Sequence, residues 1–207
     1  MDFKKIEGIL SQHVPANAVL YCVTLWQELP FDFKLRKTRL SKVGDFTCRT
    51  GSRPQITINR DLHPYLFLMT YVHEVAHHRV HQGYGFRAEA HGDEWKATFQ
   101  TLMNPILIDE IFPEPLLSGL RKHMASPKAS SFSDAELTQL FRSLNDREAS
   151  AILLSHIPEG SIFSLHGKWF KKGKLRRTRV LCHEVKTRRQ YLVPVDMPIG
   201  QAQLALL

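Results

Sequence analysis

Apolar positions recur at helical spacing in some segments of this chain and at two-residue spacing in others, so the pattern predicts an α+β fold. Residues 1–7, Met-Asp-Phe-Lys-Lys-Ile-Glu, start an amphipathic helix near 2–12, and a second helix covers about 15–28. Strand-like stretches come next, near 31–37, 45–50 and 55–59. Pro64 suits a first helical turn, and Leu66-Phe67-Leu68-Met69-Thr70-Tyr71-Val72 after it is apolar and free of Gly and Pro. That pattern predicts a buried helix over about 64–82, ended by Gly83 and Gly85. A further helix is expected over about 91–103, with Phe99, Leu102 and Met103 on its apolar side. Pro105, Pro113 and Pro115 break up the chain beyond that helix, and residues 125–132 have the composition of a linker. Ser133-Asp134-Ala135-Glu136 reads as a capping box, opening a helix with Leu137, Leu140, Phe141 and Leu144 on one face. The C-terminal part is strand-like at 161–165, 175–185 and 190–195, with Lys172-Gly173 as a hairpin turn. The expected domains are 1–124, a linker at 125–132, and a lobe at 133–207 made of a helix and β-hairpins.

The apolar run of the long helix leads straight into His73-Glu74-Val75-Ala76-His77. Histidines four apart lie on one helical face, one turn above the other, and so can direct two imidazoles at one metal ion. Two neutral imidazoles suit zinc, and the carboxylate between them suits a general base for hydrolysis. With 11 His and 11 Glu among 207 residues, chance would supply about 0.03 such matches, too few to explain it. Buried His and Glu side chains also need partners, which a metal provides.

A catalytic zinc takes three protein ligands and leaves a position open. His78, His81, Glu89, His91, Asp93 and Glu94 are the nearby candidates for the third. His78 and His81 are rotated away from the His73/His77 face. The chain turns after Gly83 and Gly85, and His91, opening the returning helix, is the best placed. Glu89 is the alternative. Tyr65, Tyr71 and Tyr84 are candidates to stabilise an oxyanion, and Trp95 reads as core packing.

His73-Glu74-x-x-His77, thirteen residues, then His91-Gly92-x-x-Trp95 resembles the SprT-like family of zinc metallopeptidases, which includes the Spartan proteases acting on proteins crosslinked to DNA. Arg39-Leu40-Ser41, Gly44 and the stretch from Pro54 to Leu62 resemble the short strands before that family's metal helix, and the likeness covers roughly residues 1–110. The resemblance implies a zincin-like SprT domain, Zn²⁺ held by His73, His77 and His91, and Glu74 as general base. Many bacterial members end in a zinc ribbon with two cysteine pairs. This chain has only Cys22, Cys48 and Cys182 and no C-x-x-C, so a four-cysteine site is impossible. The C-terminal lobe is then expected to keep a ribbon-like shape around a small apolar core. His166, Cys182 and His183 are weak metal candidates because their spacing is wrong.

Charge adds a second chemistry. Residues 168–189 hold ten Lys/Arg and one acid, a net of +9, so the other 18 basic and 19 acidic residues sum to −1 and the formal +8 resides in this segment. Lys168, Lys171, Lys172, Lys174, Arg176, Arg177, Arg179, Arg188 and Arg189, beside Trp169, Phe170 and Tyr191, suit a nucleic-acid backbone and unpaired bases. A solvated basic surface is the plainer alternative. Three scattered cysteines, the absence of an apolar run of membrane-spanning length and a start unlike a signal peptide point to the cytosol, with association to the nucleoid possible. The expected function is a zinc peptidase acting on DNA-associated or DNA-crosslinked proteins. The alternatives are a nucleic-acid-binding adaptor with a structural zinc, and a metal hydrolase with a non-peptide substrate.

Overall fold

A computed structural model describes residues 2–39, 42–128, 134–144, 152–200 and 202–203. Among these the fold is α+β, with six α-helices and three sheets. The chain divides into two compact units, Met1–Phe141 and Arg142–Leu207.

The first unit is organised around one long helix, α3 (Pro64–Tyr84). Pro64 occupies its first turn, His63 Nδ1 accepts from the Tyr65 N–H, and Gly85 at φ 62° ends it, donating its N–H to the His81 carbonyl. Gly83 is inside the helix, so the stop belongs to the glycine with the left-handed backbone. Helices α1 (Phe3–His13) and α2 (Val19–Glu28) and a three-stranded sheet pack around α3. The strands are β1 (Asp32–Arg36), β2 (Gly44–Thr47) and β3 (Gln55–Asn59), in the order β1-β3-β2, with β1 parallel and β2 antiparallel to the central β3. Phe31, Phe33, Ile56, Ile58, Phe67, Tyr71 and Val72 are sealed from solvent. The Tyr71 hydroxyl donates to the Cys22 carbonyl at 2.9 Å, and Cys22 is a buried small hydrophobe, as its apolar helix suggests.

Helix α4 (Asp93–Met103) returns along α3, and α5 (Leu116–Met124) and α6 (Ala135–Ser143) come after it. The first compact unit runs on to Phe141, past the stretch at 125–132. Asp134 accepts from His123 Nδ1 at 2.9 Å and Glu136 from Lys122 Nζ at 2.5 Å. Leu140 lies where a Cβ on Gly119 would fall. These contacts tie α6 to α5, and a run of small polar residues between them carries no information about such ties. Ser133 lies outside the described residues. The cap that is described is Asp134, whose carboxylate accepts from the Leu137 N–H at 3.2 Å.

The second unit holds an antiparallel sheet ordered β10-β5-β6-β7-β8 and a short pair, β4 (Ile152–Leu153) with β9 (Pro198–Ile199). The sheet comprises β5 (Ile162–Leu165), β6 (Lys168–Arg176), β7 (Arg179–Glu184), β8 (Gln190–Pro194) and β10 (Ala202–Gln203). Phe163, Phe170, Val180, Cys182 and Val193 form its apolar face, with Phe163 and Phe170 stacked across the strands at 5.8 Å. The turn expected at Lys172-Gly173 is corrected. Strand β6 runs through it with a bulge, and the chain reverses at Arg177-Thr178, between the paired Arg176 and Arg179. Gly173 is needed because a Cβ there would meet the Leu181 carbonyl oxygen at 2.5 Å, a cross-strand approach rather than a turn. No helix among the described residues is long and apolar enough to cross a membrane.

Candidate metal centre

His73 and His77 stand one turn apart on α3, and His91 reaches the same point from the turn before α4. That turn is closed by the Gly92 N–H donating to the Glu89 carbonyl at 2.9 Å. His91 has φ 64°, a left-handed conformation that non-glycine residues seldom adopt and that costs of order 1 kcal/mol or more. The backbone strain delivers its imidazole to the other two. The three Nε2 atoms are 3.2 Å (His73 to His77), 3.0 Å (His77 to His91) and 3.2 Å (His73 to His91) apart. Nitrogens held at about 2.0–2.1 Å around a tetrahedral zinc lie about 3.3–3.4 Å apart, so the spacing fits. With each ring in the tautomer that leaves Nε2 unprotonated, three lone pairs converge, and a cation between them relieves their repulsion. These three form the single group of this kind among the described residues.

All three histidines are held in the neutral form that a metal requires. Burial pushes His73 well below its ordinary range, with the charges of His77, His91 and His123 acting the same way. His77 is lowered to about 4 by burial and by His91, and His91 is lowered by burial. Trp95, fully buried on α4, packs against all three rings, with centroids at 4.6 Å from His73, 5.3 Å from His77 and 4.6 Å from His91. Its expected role as core packing stands, and the core it packs is the set of ligand rings.

Glu74 is buried one residue from His73, with its carboxylate against β2. Burial raises its pKa to about 8 and the charge of Asp45 adds to this, while the Phe46 backbone N–H and the cations Arg39 and Lys42 pull the other way. Arg39 is itself fixed by the strands. Its Nε donates to Asn59 Oδ1 and its Nη1 to Thr57 Oγ1, both at 2.9 Å, and its Nη2 reaches the Val43 and Thr57 carbonyls. Sequence reading did not single out this network. Its sign in the structure is that Thr57 and Asn59, polar residues alternating with Ile56 and Ile58 on β3, are buried.

The other candidates fall elsewhere. Glu89 is exposed and outside the cluster, as are Asp93 and Glu94. His78 is buried between Phe31 and Phe46, and His81 also lies against Phe46. Tyr71 is committed to Cys22, Tyr65 packs on Phe112 and His63, and Tyr84 is exposed. His123 is buried and paired with Asp134. In the second unit Cys182 is buried on the apolar face, while the adjacent His183 has the opposite facing, so these two do not converge on a metal.

The basic residues separate into two sorts. Lys171, Lys174, Arg176, Arg177, Arg188 and Arg189 are exposed, and Arg179 is half-buried. Lys172 is not available to a phosphate: its Nζ donates to the Leu154 and Ile157 carbonyls at 2.7 and 2.5 Å. Alternation decides this, because Lys172 pairs with the buried Cys182 whereas Lys171 pairs with His183. Lys168 is bonded to Glu184 at 3.2 Å. Trp169 is exposed, while Phe170 beside it is buried.

No protein-family model, curated protein or solved structure matches this chain.

Proposed function

We propose that this chain is a zinc-dependent peptidase of the SprT-like type, acting on proteins associated with DNA or crosslinked to it. The observation that carries the reading is the convergence of His73, His77 and His91, with Glu74 buried next to His73 in the same helix. The three imidazoles would hold the ion, and their neutral state suits them to it. A zinc ion there supplies Lewis acidity and positive charge, which polarise a carbonyl, make water nucleophilic near neutral pH and favour the ionised form of a nearby carboxylate. Glu74 then serves as the base, accepting a proton from the attacking water and passing it to the leaving amine. Trp95 keeps the imidazole rings in place and, being fully buried, keeps water from their far side.

The second unit supports the nucleic-acid part of the reading. Lys171, Lys174, Arg176 and Arg177 project from one strand and its turn, with Trp169 exposed on the same strand. Exposed cations beside an exposed indole suit a phosphate chain with unpaired bases. Recruitment to DNA, more than a side-chain pocket, would select the substrate.

One observation favours a second reading, an adaptor with a structural metal: the Glu74 carboxylate accepts from the Phe46 backbone N–H and is so far engaged with β2. Zinc-loaded wild type and Glu74→Gln incubated with a DNA-bound protein substrate separate the two. The peptidase reading expects cleavage by wild type and a loss of at least about 10²-fold in Glu74→Gln with zinc retained. Equal cleavage by both removes Glu74 from the chemistry, and cleavage by neither supports the adaptor.

A further inference from the structure

Strand β2 carries a glycine at a position where the backbone does not require one. Gly44 is not among the residues with positive φ, so its conformation is open to any amino acid. It opens strand β2, paired with Ile58. What it requires is space. A Cβ on Gly44 would collide with Glu74 Oε1 and would lie 2.6 Å from Thr70 Cγ2 and 3.0 Å from Glu74 Cδ. Both neighbours are on α3, one turn apart, and both are buried. Two residues along the same strand, the Phe46 backbone N–H donates to that carboxylate. The edge strand thus offers Glu74 a hollow and a donor, and the hollow exists because residue 44 has no side chain.

We propose that Gly44 is a positioning residue for Glu74: its missing Cβ is the socket that seats the carboxylate on β2. The functional weight of this rests on reading Glu74 as the base, but the seat itself is a statement about geometry. Gly44 touches neither substrate nor metal ligand. It acts by fixing where the carboxylate can be, and Phe46 fixes its direction. A methyl group at residue 44 would push the carboxylate off the strand without changing the ligand set, since His73 and His77 face His91 rather than β2.

The test needs a readout apart from turnover, and the Phe46 amide provides it. In ¹⁵N-labelled full-length protein, that amide should move when Glu74 is changed to Gln, because a charged acceptor becomes a neutral one. Gly44→Ala should move it as well while leaving about one zinc per chain. On a DNA-bound protein substrate the same variant should lose at least tenfold in kcat with KM little changed, the pattern of a misplaced base and intact binding. Gly44→Ala combined with Glu74→Asp shortens the colliding side chain by one methylene. It should recover the folded stability and zinc content of Glu74→Asp alone, which also covers the case in which Gly44→Ala folds poorly. An unmoved Phe46 amide in Gly44→Ala, or a double variant as disrupted as Gly44→Ala, overturns the proposal. If no protein shows cleavage, the peptidase reading fails, while the amide and rescue measurements still decide the seat.

Discussion

His91 is the residue on which the centre depends most. Its partners share a helix and need nothing but helical geometry to line up, whereas His91 arrives through a tight turn with a left-handed backbone. His91→Ala should therefore cut zinc content from about one per chain to a small fraction, measured by elemental analysis of protein purified without added metal. Full occupancy in that variant would hand the third position to another side chain. The same burial that keeps these rings neutral makes the metal-free protein sensitive to acid. His77 and His78 have folded pKa values of about 4 against an ordinary 6.5, so the unfolded chain takes up protons first as the pH falls. Their stabilising contribution is present above pH 6.5 and is lost as the pH drops through about 4. Glu74 has the opposite sign: with its pKa raised from 4.5 to about 8, its contribution is lost as the pH climbs through that window. Melting curves of metal-free protein should thus decline on both sides. Glu74→Gln should flatten the alkaline side, and His78→Phe, which places a non-titrating ring between Phe31 and Phe46, should flatten the acid side. Unchanged curves in these variants would show that other groups set the pH response.

Among the elements, α3 was legible in the sequence because each of its signals is local. Pro64, the apolar run and the spacing of His73 and His77 act within one helix, and His91 could be nominated because a returning helix had to complete the set. The β6–β7 hairpin was not legible. Lys172-Gly173 has the composition of a turn, but the glycine answers to Leu181 across the strand, and the true reversal uses Arg177 at φ 54°, a residue type that does not advertise a left-handed backbone. The α5–α6 ties and the Gly44 hollow were hidden for the same reason, since both depend on residues far apart in sequence. Correcting β6 separates two lysines that composition treats alike. Lys172→Ala should lower the stability of its unit by about 1–3 kcal/mol, since two buried carbonyls lose their charged donor. Lys171→Ala should leave stability unchanged and reduce the salt slope of nucleic-acid binding by about 1. Denaturant titration and salt-dependent binding measure the two, and a reversed pattern would return Lys172 to the surface.

For the whole molecule, the division of charge matters more than its total. The segment 168–189 carries +9 and the rest −1, and every residue of that segment belongs to the unit without the histidine cluster. If its exposed cations meet about four to six phosphates, log K should fall with log salt at a slope of about −3 to −5. Reversing Lys174, Arg176 and Arg177 together should flatten that slope and leave zinc content unchanged. Tight binding that ignores both salt and charge reversal would mark the segment as a solvated surface.

The three imidazoles also span a loop, with 14 positions separating His77 from His91. An ion that joins them is a crosslink, and like a disulfide it restricts the unfolded chain. On the chain-entropy scale, closing a loop of this length is worth about 3 kcal/mol, whatever chemistry the ion performs. Any metal of suitable size should thus protect the turn at residues 85–92 from proteases, including metals that support no hydrolysis. Resistance to digestion and catalytic competence are then separate properties of this centre, and a chelator would abolish both where an inert ion restores only the first.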